Sequence, residues 1–304
     1  MISIRGVSKT YGGGLRRRKR ALDGITLEVQ RGEALGLIGP NGAGKTTLLS
    51  CLLGFLRPER GTISIEGLPP DDLAVRAKTG YMPERLGFDR DLTGGAFLAQ
   101  HWRLAGGDPG ETAAQAAAAA ARVGLDGDVL RRRLSGYSRG MLQRIGIAQA
   151  TLRDPELLFL DEPASGTDPL GVATVRDRIF EAKKRGATIV LNSHQLAEVE
   201  KVCDRVVFID GGRLTQAQTL RGDAPASRRA MLRVPPEGRQ GAIAALAGAG
   251  FVAEEGADDA LRFPVENEEA LARAVKALAL ADVPVLEARS SADLEDMFRR
   301  RGSP

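Results

Sequence analysis

The sequence predicts an α/β fold with a parallel sheet covered on both faces, followed by a small α+β domain. One observation is a glycine-rich loop that lies between the apolar run Ala34–Ile38 and a helix-like stretch. A second is the recurrence of short apolar runs separated by helical stretches, at residues 157–160, 188–191 and 205–209. Near-continuous apolar strands that alternate with helices are typical of parallel sheets.

Composition limits the possible classes of protein. A chain of 304 residues predicts one large domain and a smaller one. A net charge of +4 is weak evidence for a polyanionic partner, so no nucleic acid is expected. Cys51 and Cys203 are far apart and predict buried thiols in a reducing compartment. No apolar run reaches the roughly 18–20 residues of a membrane span, which predicts a cytoplasmic protein that reaches a membrane only through a partner.

The N-terminal region reads as β structure. Strand patterns cover residues 2–7, 25–29 and 63–66, with a turn at residues 31–33 before the strand that enters the glycine-rich loop. Residues 92–121 change to a helical pattern that includes an alanine-rich run, which predicts a helical subdomain over about residues 89–150.

The glycine-rich loop matches the Walker A pattern at residues 39–46, Gly-Pro-Asn-Gly-Ala-Gly-Lys-Thr. Its glycines let backbone N–H groups approach phosphates, Lys45 supplies a positive charge, and the Thr46 hydroxyl can ligate Mg²⁺. Residues 47–53 read as the helix whose N-terminus faces the anion. The expected nucleotide contacts are Gly39, Asn41, Gly42, Gly44, Lys45, Thr46 and Thr47.

Two carboxylates follow the apolar run at residues 157–160. Asp161 and Glu162 therefore emerge at the carboxyl end of a buried strand, where ligands bind in parallel sheets. Asp161 is expected to hold the Mg²⁺ shell, and Glu162 to orient and deprotonate the attacking water.

A second anion site is indicated upstream. The turn at residues 134–140 leads into a helical pattern over residues 141–152, and Ser135 with the N–H groups of Gly136 and Tyr137 is expected at that helix start. An ordinary capped helix start is the alternative. Two candidate phosphate sites in one chain raise the possibility that two chains share one nucleotide.

In this order and spacing, the motifs resemble the nucleotide-binding subunit of an ABC transporter over roughly residues 1–220. In that family the signature Leu-Ser-Gly-Gly-Gln, here matched to residues 134–138, closes over ATP held by the other protomer. By this resemblance Tyr11 stacks on adenine, Glu84 takes the Q-loop position and ligates Mg²⁺, Asp168 links the two sites, and His194 contacts the γ-phosphate.

The resemblance implies an ATPase that uses ATP and Mg²⁺. Glu162, His194 and Lys45 are then catalytic, and Thr46, Glu84 and Asp161 hold the metal. The residues expected to meet the partner's ATP are Ser135, Gly136, Tyr137 and Asp168. This chain departs from the family pattern at Tyr137, Ser138, Glu84 and Thr167. The first three departures resemble an export branch that includes antibiotic-exporter and copper-enzyme-maturation ATPases.

The C-terminal region after the ATPase domain and a basic run near the N-terminus lie outside the family pattern. Residues 1–222 are expected to form the ATPase domain, 223–227 a linker, and 228–304 an accessory domain with a ferredoxin-like β-α-β-β-α-β order and a final helix at 292–301. Regulation or dimer stabilisation is the expected use of this accessory domain.

The basic run at residues 16–20 reads as a solvated loop, with contact to anionic lipids as the alternative.

The expected function is ATP hydrolysis by two copies of the chain, coupled to a separately encoded permease and to export. The partners are thus a second copy and the permease, on the cytoplasmic face of the inner membrane. A non-transport ABC mechanoenzyme acting on nucleic acid or the ribosome is the alternative, although the chain has one Walker A motif and no long coiled coil. A regulatory module without hydrolysis fits less well because Lys45, Asp161, Glu162 and His194 are all present.

Overall fold

The computed structural model describes residues 1–12, 19–87, 89–125, 127–220, 228–256 and 260–292. The chain divides into two compact units, Met1–Gln218 and Thr219–Pro304. Each unit has its own cluster of buried apolar side chains. The expected linker at residues 223–227 lies outside the described residues.

The described strands of the first unit form two sheets. They are β1 (Ile2–Tyr11), β2 (Lys19–Val29), β3 (Ala34–Ile38), β4 (Arg60–Ile65), β5 (Thr79–Met82), β6 (Leu157–Asp161), β7 (Thr188–Asn192), β8 (Arg205–Asp210) and β9 (Arg213–Thr219). The helices of this unit are α1 (Lys45–Leu52), α2 (Leu73–Ala77), α3 (Gly94–Leu104), α4 (Thr112–Ala121), α5 (Gly127–Arg131), α6 (Arg139–Ala150), α7 (Pro169–Lys184) and α8 (Leu196–Val202).

The larger sheet has the strand order β5-β6-β7-β3-β8-β9. Its pairs from β5 to β8 are parallel, and every residue of β3, β6 and β7 is buried, which confirms the expected parallel sheet. The ladders place Leu37 and Asp161 on either side of Asn192. The ends of β3, β7 and β6 therefore lie side by side at one edge of the sheet.

The smaller sheet is antiparallel and has the order β2-β1-β4. Both β1 and β2 are longer than the sequence pattern predicts, because the ladder continues past register shifts between Ile4 and Thr10. Such bulges interrupt the alternation of buried and exposed residues on which the strand pattern depends.

The expected helical region contains a break between α3 and α4. Asp108 accepts a hydrogen bond from the N–H of Gly110 at 2.7 Å, and its carbonyl accepts one from the Trp102 indole at 2.9 Å. A Cβ on Gly107 would lie 2.2 Å from the Trp102 ring. The ring thus packs against a position that only glycine can occupy, and the chain turns there.

The second unit has the elements β10 (Arg228–Arg233), α9 (Arg239–Gly248), β11 (Glu254–Glu255), β12 (Leu261–Val265), α10 (Glu268–Leu280) and β13 (Glu287–Ala292). Its antiparallel sheet has the order β11-β12-β10-β13. The last strand begins later than the expected residues 283–288, and Ala292 ends that strand although a helix was expected from this residue. Residues 293–301 of the expected helix lie outside the described part of the chain.

Within the described residues, no helix is both long and apolar enough to span a bilayer.

Candidate functional site

The loop after β3 has a backbone path that glycine makes possible. A Cβ at Gly39 would lie 2.1 Å from the carbonyl oxygen of Ile209, and one at Gly44 would lie 2.3 Å from that of Ala21. Gly44 also has a left-handed φ of 110° and is the N-cap of α1, with no side chain to cap it. The first N–H groups of α1 therefore remain available to an acceptor at the loop.

Lys45 is the first residue of α1, and its side chain is buried. Its Nζ donates hydrogen bonds to the carbonyl oxygens of Gly39 at 2.6 Å and Pro40 at 3.1 Å. Burial lowers the pKa of Lys45, whereas three nearby carboxylates act to raise it. These carboxylates belong to Glu162, Asp161 and Glu84. The structure thus brings Lys45 and Glu84 together with Asp161 and Glu162, which lie far from both in the sequence.

Asp161 ends β6 and is 2% exposed. Burial raises the pKa of its carboxyl group, while the hydrogen bond from the Asn192 side-chain amide and the nearby Thr46 side chain favour the charged form. The neighbouring acids Glu84 and Glu162 again raise this pKa. A buried carboxylate with acidic neighbours is unfavourable by itself and favours a cation beside it.

The donor set at this place fits Mg²⁺. The Thr46 hydroxyl and the Glu84 carboxylate are both close enough to Asp161 to affect its pKa. All three present hard oxygen ligands. No group of three or more His, Cys, Asp or Glu side chains in the described ranges could hold a metal ion by itself. An ion here would therefore take further ligands from phosphate or water, as Mg²⁺ commonly does.

Glu162 has a left-handed backbone, with φ 49°, and a buried side chain. Its Oε2 lies 2.7 Å from Nδ1 of His194, whose ring is more than half exposed. Its N–H donates to the carbonyl of Asn192 at 2.8 Å. A residue other than glycine keeps such a backbone only where its surroundings hold it, and these cases cluster at functional sites.

The expectation that Ser135 begins the helix after the turn is wrong. Ser135 lies in a one-turn 3₁₀ helix, Leu134–Gly136, in which the N–H groups of Gly136 and Tyr137 donate to the carbonyls of Arg133 and Leu134. α6 begins three residues later, and its N-cap is Ser138, whose hydroxyl accepts a hydrogen bond from the Met141 N–H at 3.2 Å.

The side chain of Tyr137 points into the protein interior. It is 7% exposed, and its hydroxyl donates to the Val129 carbonyl at 2.8 Å. Burial raises its pKa. Residues 137–141, Tyr-Ser-Arg-Gly-Met, keep the serine and the second glycine of Leu-Ser-Gly-Gly-Gln at the same two positions. The structure thus favours Ser138 over Ser135 as the serine at the helix N-terminus.

Asp168 lies beside the start of α6. It is the N-cap of α7, and its Oδ1 accepts a hydrogen bond from the Gly171 N–H at 2.7 Å. A Cβ on Gly140 would lie 3.6 Å from its carboxylate. The Asp168 side chain therefore caps a helix of its own chain, next to the first turn of α6.

Tyr11 ends β1, is 42% exposed, and pairs with Lys19 across the sheet. Nζ of Lys19 lies 3.5 Å from the place of a Cβ on Gly42, so this strand end lies near the phosphate loop. Of the expected basic run, Arg20 forms an ion pair with Asp23, and residues 16–18 lie outside the described residues.

Two buried polar residues at this edge were missed by sequence reasoning. Asn192 ends β7, and its side-chain amide donates to Asp161. Gln143, on α6, is 5% exposed and donates to the carbonyl oxygen of Pro163 at 2.7 Å. For Asn192 the available signal was a single polar side chain after an apolar run, whereas Gln143 is followed by Arg144 and had no such signal.

A phosphate loop at the carboxyl edge of a parallel sheet, with a buried lysine facing acids, defines a P-loop nucleotide-binding protein. A family model described as ABC transporter matches residues 22–165. The protein YdbJ of Bacillus subtilis (strain 168), an uncharacterized ABC transporter ATP-binding protein, is 36% identical over 244 residues, which are 78% of this chain and 75% of YdbJ. The chain belongs to the family of ABC transporter ATP-binding proteins.

Other relatives share the same part of the chain. An uncharacterized ABC transporter ATP-binding protein of Synechocystis sp. (strain PCC 6803) is 43% identical over 68% of this chain, and the chain spans 60% of that protein's length. The daunorubicin resistance ATP-binding protein DrrA3 of Streptomyces coeruleorubidus is 37% identical, over 70% of this chain and 66% of DrrA3.

Solved structures agree on the fold. A dimeric ATP-binding cassette in a post-hydrolysis state, bound to ADP and Pi, superposes with a TM-score of 0.68 at 22% identity and covers 73% of this chain and 100% of that cassette. An ATP-binding subunit of an ABC transporter superposes with a TM-score of 0.64 at 32% identity, over 72% of this chain and 90% of that subunit.

Proposed function

We propose that this protein is an ATP-binding and ATP-hydrolysing subunit that powers a separately encoded membrane permease of an exporter. The observation that carries the proposal is the meeting of Lys45, Asp161 and the hydrogen-bonded pair Glu162 and His194 at one edge of one sheet. Family membership and the names of the relatives support the same conclusion.

In the proposed reaction the loop N–H groups and Lys45 bind the phosphates of ATP and offset their charge. Glu162 accepts a proton from the attacking water, and His194 fixes the direction of the Glu162 carboxylate and contacts the γ-phosphate. Thr46, Asp161 and Glu84 would hold Mg²⁺, which supplies positive charge to the phosphates when bound.

A second copy of the chain would complete the site. The N–H groups in the first turn of α6 have no helical carbonyl four residues earlier to donate to. This N-terminus is also the positive end of the helix dipole. We infer that Ser138 and this turn face the ATP of the partner, in the role first expected of Ser135, Gly136 and Tyr137. Asp168 would act beside them, because it lies next to Gly140. The dimeric cassette bound to ADP and Pi supports such an assembly.

The names of the relatives support export and a location at a membrane. DrrA3 is named for daunorubicin resistance, and a relative of Burkholderia lata is a Nod factor export ATP-binding protein. These names support an exporter whose permease is a different polypeptide. The proposed location is the cytoplasmic face of the membrane that holds this permease.

The test is the substitution Glu162→Gln. We expect ATP binding to remain, turnover to fall by about 10²–10⁴-fold because the general base is lost, and the ATP-bound dimer to accumulate. Steady-state hydrolysis and size-exclusion chromatography with ATP measure these outcomes. Glu156→Gln is the control, since Glu156 immediately precedes β6 and pairs with Arg31 at 3.1 Å. Normal hydrolysis by Glu162→Gln would refute the assigned base.

The alternative is an ABC mechanoenzyme that acts on nucleic acid or the ribosome, and the export relatives do not favour it. Purification from native membranes separates the two functions. The transporter proposal expects a hydrophobic permease to copurify, whereas ribosomes or DNA in its place would support the alternative.

A further inference from the structure

The turn that carries Glu162 is held from two sides. On one side the Glu162 N–H donates to the Asn192 carbonyl at 2.8 Å. The φ of Glu162 is 49°, in the left-handed region, which residues other than glycine seldom adopt without external restraint. Within the turn, the Ser165 N–H donates to the Glu162 carbonyl at 3.1 Å.

Gln143 supplies the restraint on the other side. Its Nε2 lies 2.7 Å from the carbonyl oxygen of Pro163 and 3.5 Å from that of Glu162. At 5% exposure the amide has almost no access to water, so these bonds have little competition from solvent. The Pro163 carbonyl is the principal acceptor, because its distance is the shorter one.

The helix that bears Gln143 reaches the same turn at a second point. Arg139, the first residue of α6, donates from Nη2 to the Ser165 carbonyl at 3.4 Å. Gln143 follows Ser138, the N-cap, by little more than one helical turn. A small shift of α6 along or about its axis would therefore move the donor that holds the Glu162 turn.

We propose that Gln143 is a positioning residue that ties α6 to the turn at Glu162 and keeps the carboxylate aimed at the attacking water. The inference rests on the proposed ATPase function and adds a physical link between the helix that meets the partner's ATP and the base within the same chain. Gln143 itself contacts neither nucleotide nor water in this role.

The experiment compares Gln143→Met with Gln149→Met. Methionine keeps the length of the side chain and removes the donor, and Gln149 is a half-buried residue of the same helix that lines a cavity of about 500 Å³ away from the Glu162 turn. For Gln143→Met we expect kcat to fall by about 10–100-fold through misplacement of the carboxylate. The KM for ATP and the ATP affinity measured without turnover should not change. Gln149→Met should keep wild-type kcat.

Two further variants separate positioning from folding. Gln143→Glu keeps the shape of the side chain but cannot donate a hydrogen bond when ionised, so its kcat should fall by about the same 10–100-fold. This variant carries the test if Gln143→Met does not fold. Gln143→Lys restores a donor and should recover part of kcat. The inference is overturned if Gln143→Met retains wild-type kcat, or if its kcat, ATP affinity and melting temperature fall together. If the wild-type protein does not hydrolyse ATP, the proposed function itself is refuted.

Discussion

At the scale of single residues, Asp161 combines burial with a charge that the proposed function needs. Its pKa is raised by burial, and the folded protein therefore holds the Asp161 proton more tightly than the unfolded chain does. Stability from this group is present at low pH and is lost as pH rises through the folded pKa. At neutral pH the ionised carboxylate thus lowers the stability of the nucleotide-free protein.

We predict that Asp161→Asn raises the melting temperature at neutral pH, by about 2–4 °C if the gain is near 1 kcal/mol. The gain should shrink as pH falls through the folded pKa and vanish below the ordinary aspartate pKa of about 3.9, where the wild-type carboxyl is protonated in both states. Thermal melts over a pH series, without nucleotide or Mg²⁺, measure this difference.

Asp210→Asn provides the control for that series. Asp210 also ends a strand of the larger sheet but is exposed, so its neutralisation should change the melting temperature little. An Asp161→Asn protein that melts below wild type at neutral pH would contradict the prediction.

At the scale of elements, the start of α6 decides which serine meets the partner. We predict that Ser138→Ala weakens ATP-driven dimerisation and lowers turnover, whereas Ser135→Ala changes both far less. The reason is that Ser138 lies at the free end of α6, while the 3₁₀ turn around Ser135 already uses its neighbours' N–H groups. Light scattering with ATP and steady-state hydrolysis measure the two effects.

Loss of an N-cap by itself costs about 0.5–2 kcal/mol, so the comparison needs a cap far from the nucleotide. Asp72 caps α2, which leads into the amino end of β5, through the Ala74 N–H at 2.8 Å. Asp72→Ala should lower the melting temperature without changing dimerisation. Equal loss of dimerisation in Ser135→Ala and Ser138→Ala would show that the assignment is wrong.

Sequence patterns predict the elements better than their ends. The run Ala34–Ile38 and the acids after residue 160 suffice to place the phosphate loop and the carboxylates at one edge, because parallel strands share their carboxyl edge. Ser138 was passed over because the 3₁₀ turn before α6 contains another serine. Asn192 and Gln143 were missed because their partners depend on ladder register and on helix packing, which no local pattern records.

At the scale of the whole molecule, the two units have separate cores. The buried members of the first unit's cluster lie within residues 2–209, and those of the second unit's cluster lie within residues 230–283. Among the residues that the structure describes, none belongs to both clusters. The second unit is proposed to act in regulation or dimer stabilisation. Because the cores are separate, we expect the first unit to fold without the second.

We predict that a protein ending at Gln218 folds cooperatively and binds ATP with near wild-type affinity, since the phosphate loop and the acids all lie in the first unit. Calorimetry and nucleotide titration of the truncated and full-length chains test this. Comparison of their ATP-driven dimerisation then tests the proposed role of residues 219–304. Failure of the shortened chain to fold would show that the cores are not independent.

The position of β3 in the sheet has a consequence for biosynthesis. This strand carries the phosphate loop, yet its hydrogen-bonded neighbours β7 and β8 are both encoded much later. A nascent chain therefore exposes an unpaired apolar strand until Asn192 has left the ribosome, and such strands fold slowly and aggregate readily. Fragments that end before β7 should accordingly depend on chaperones, although they contain the complete Walker A motif.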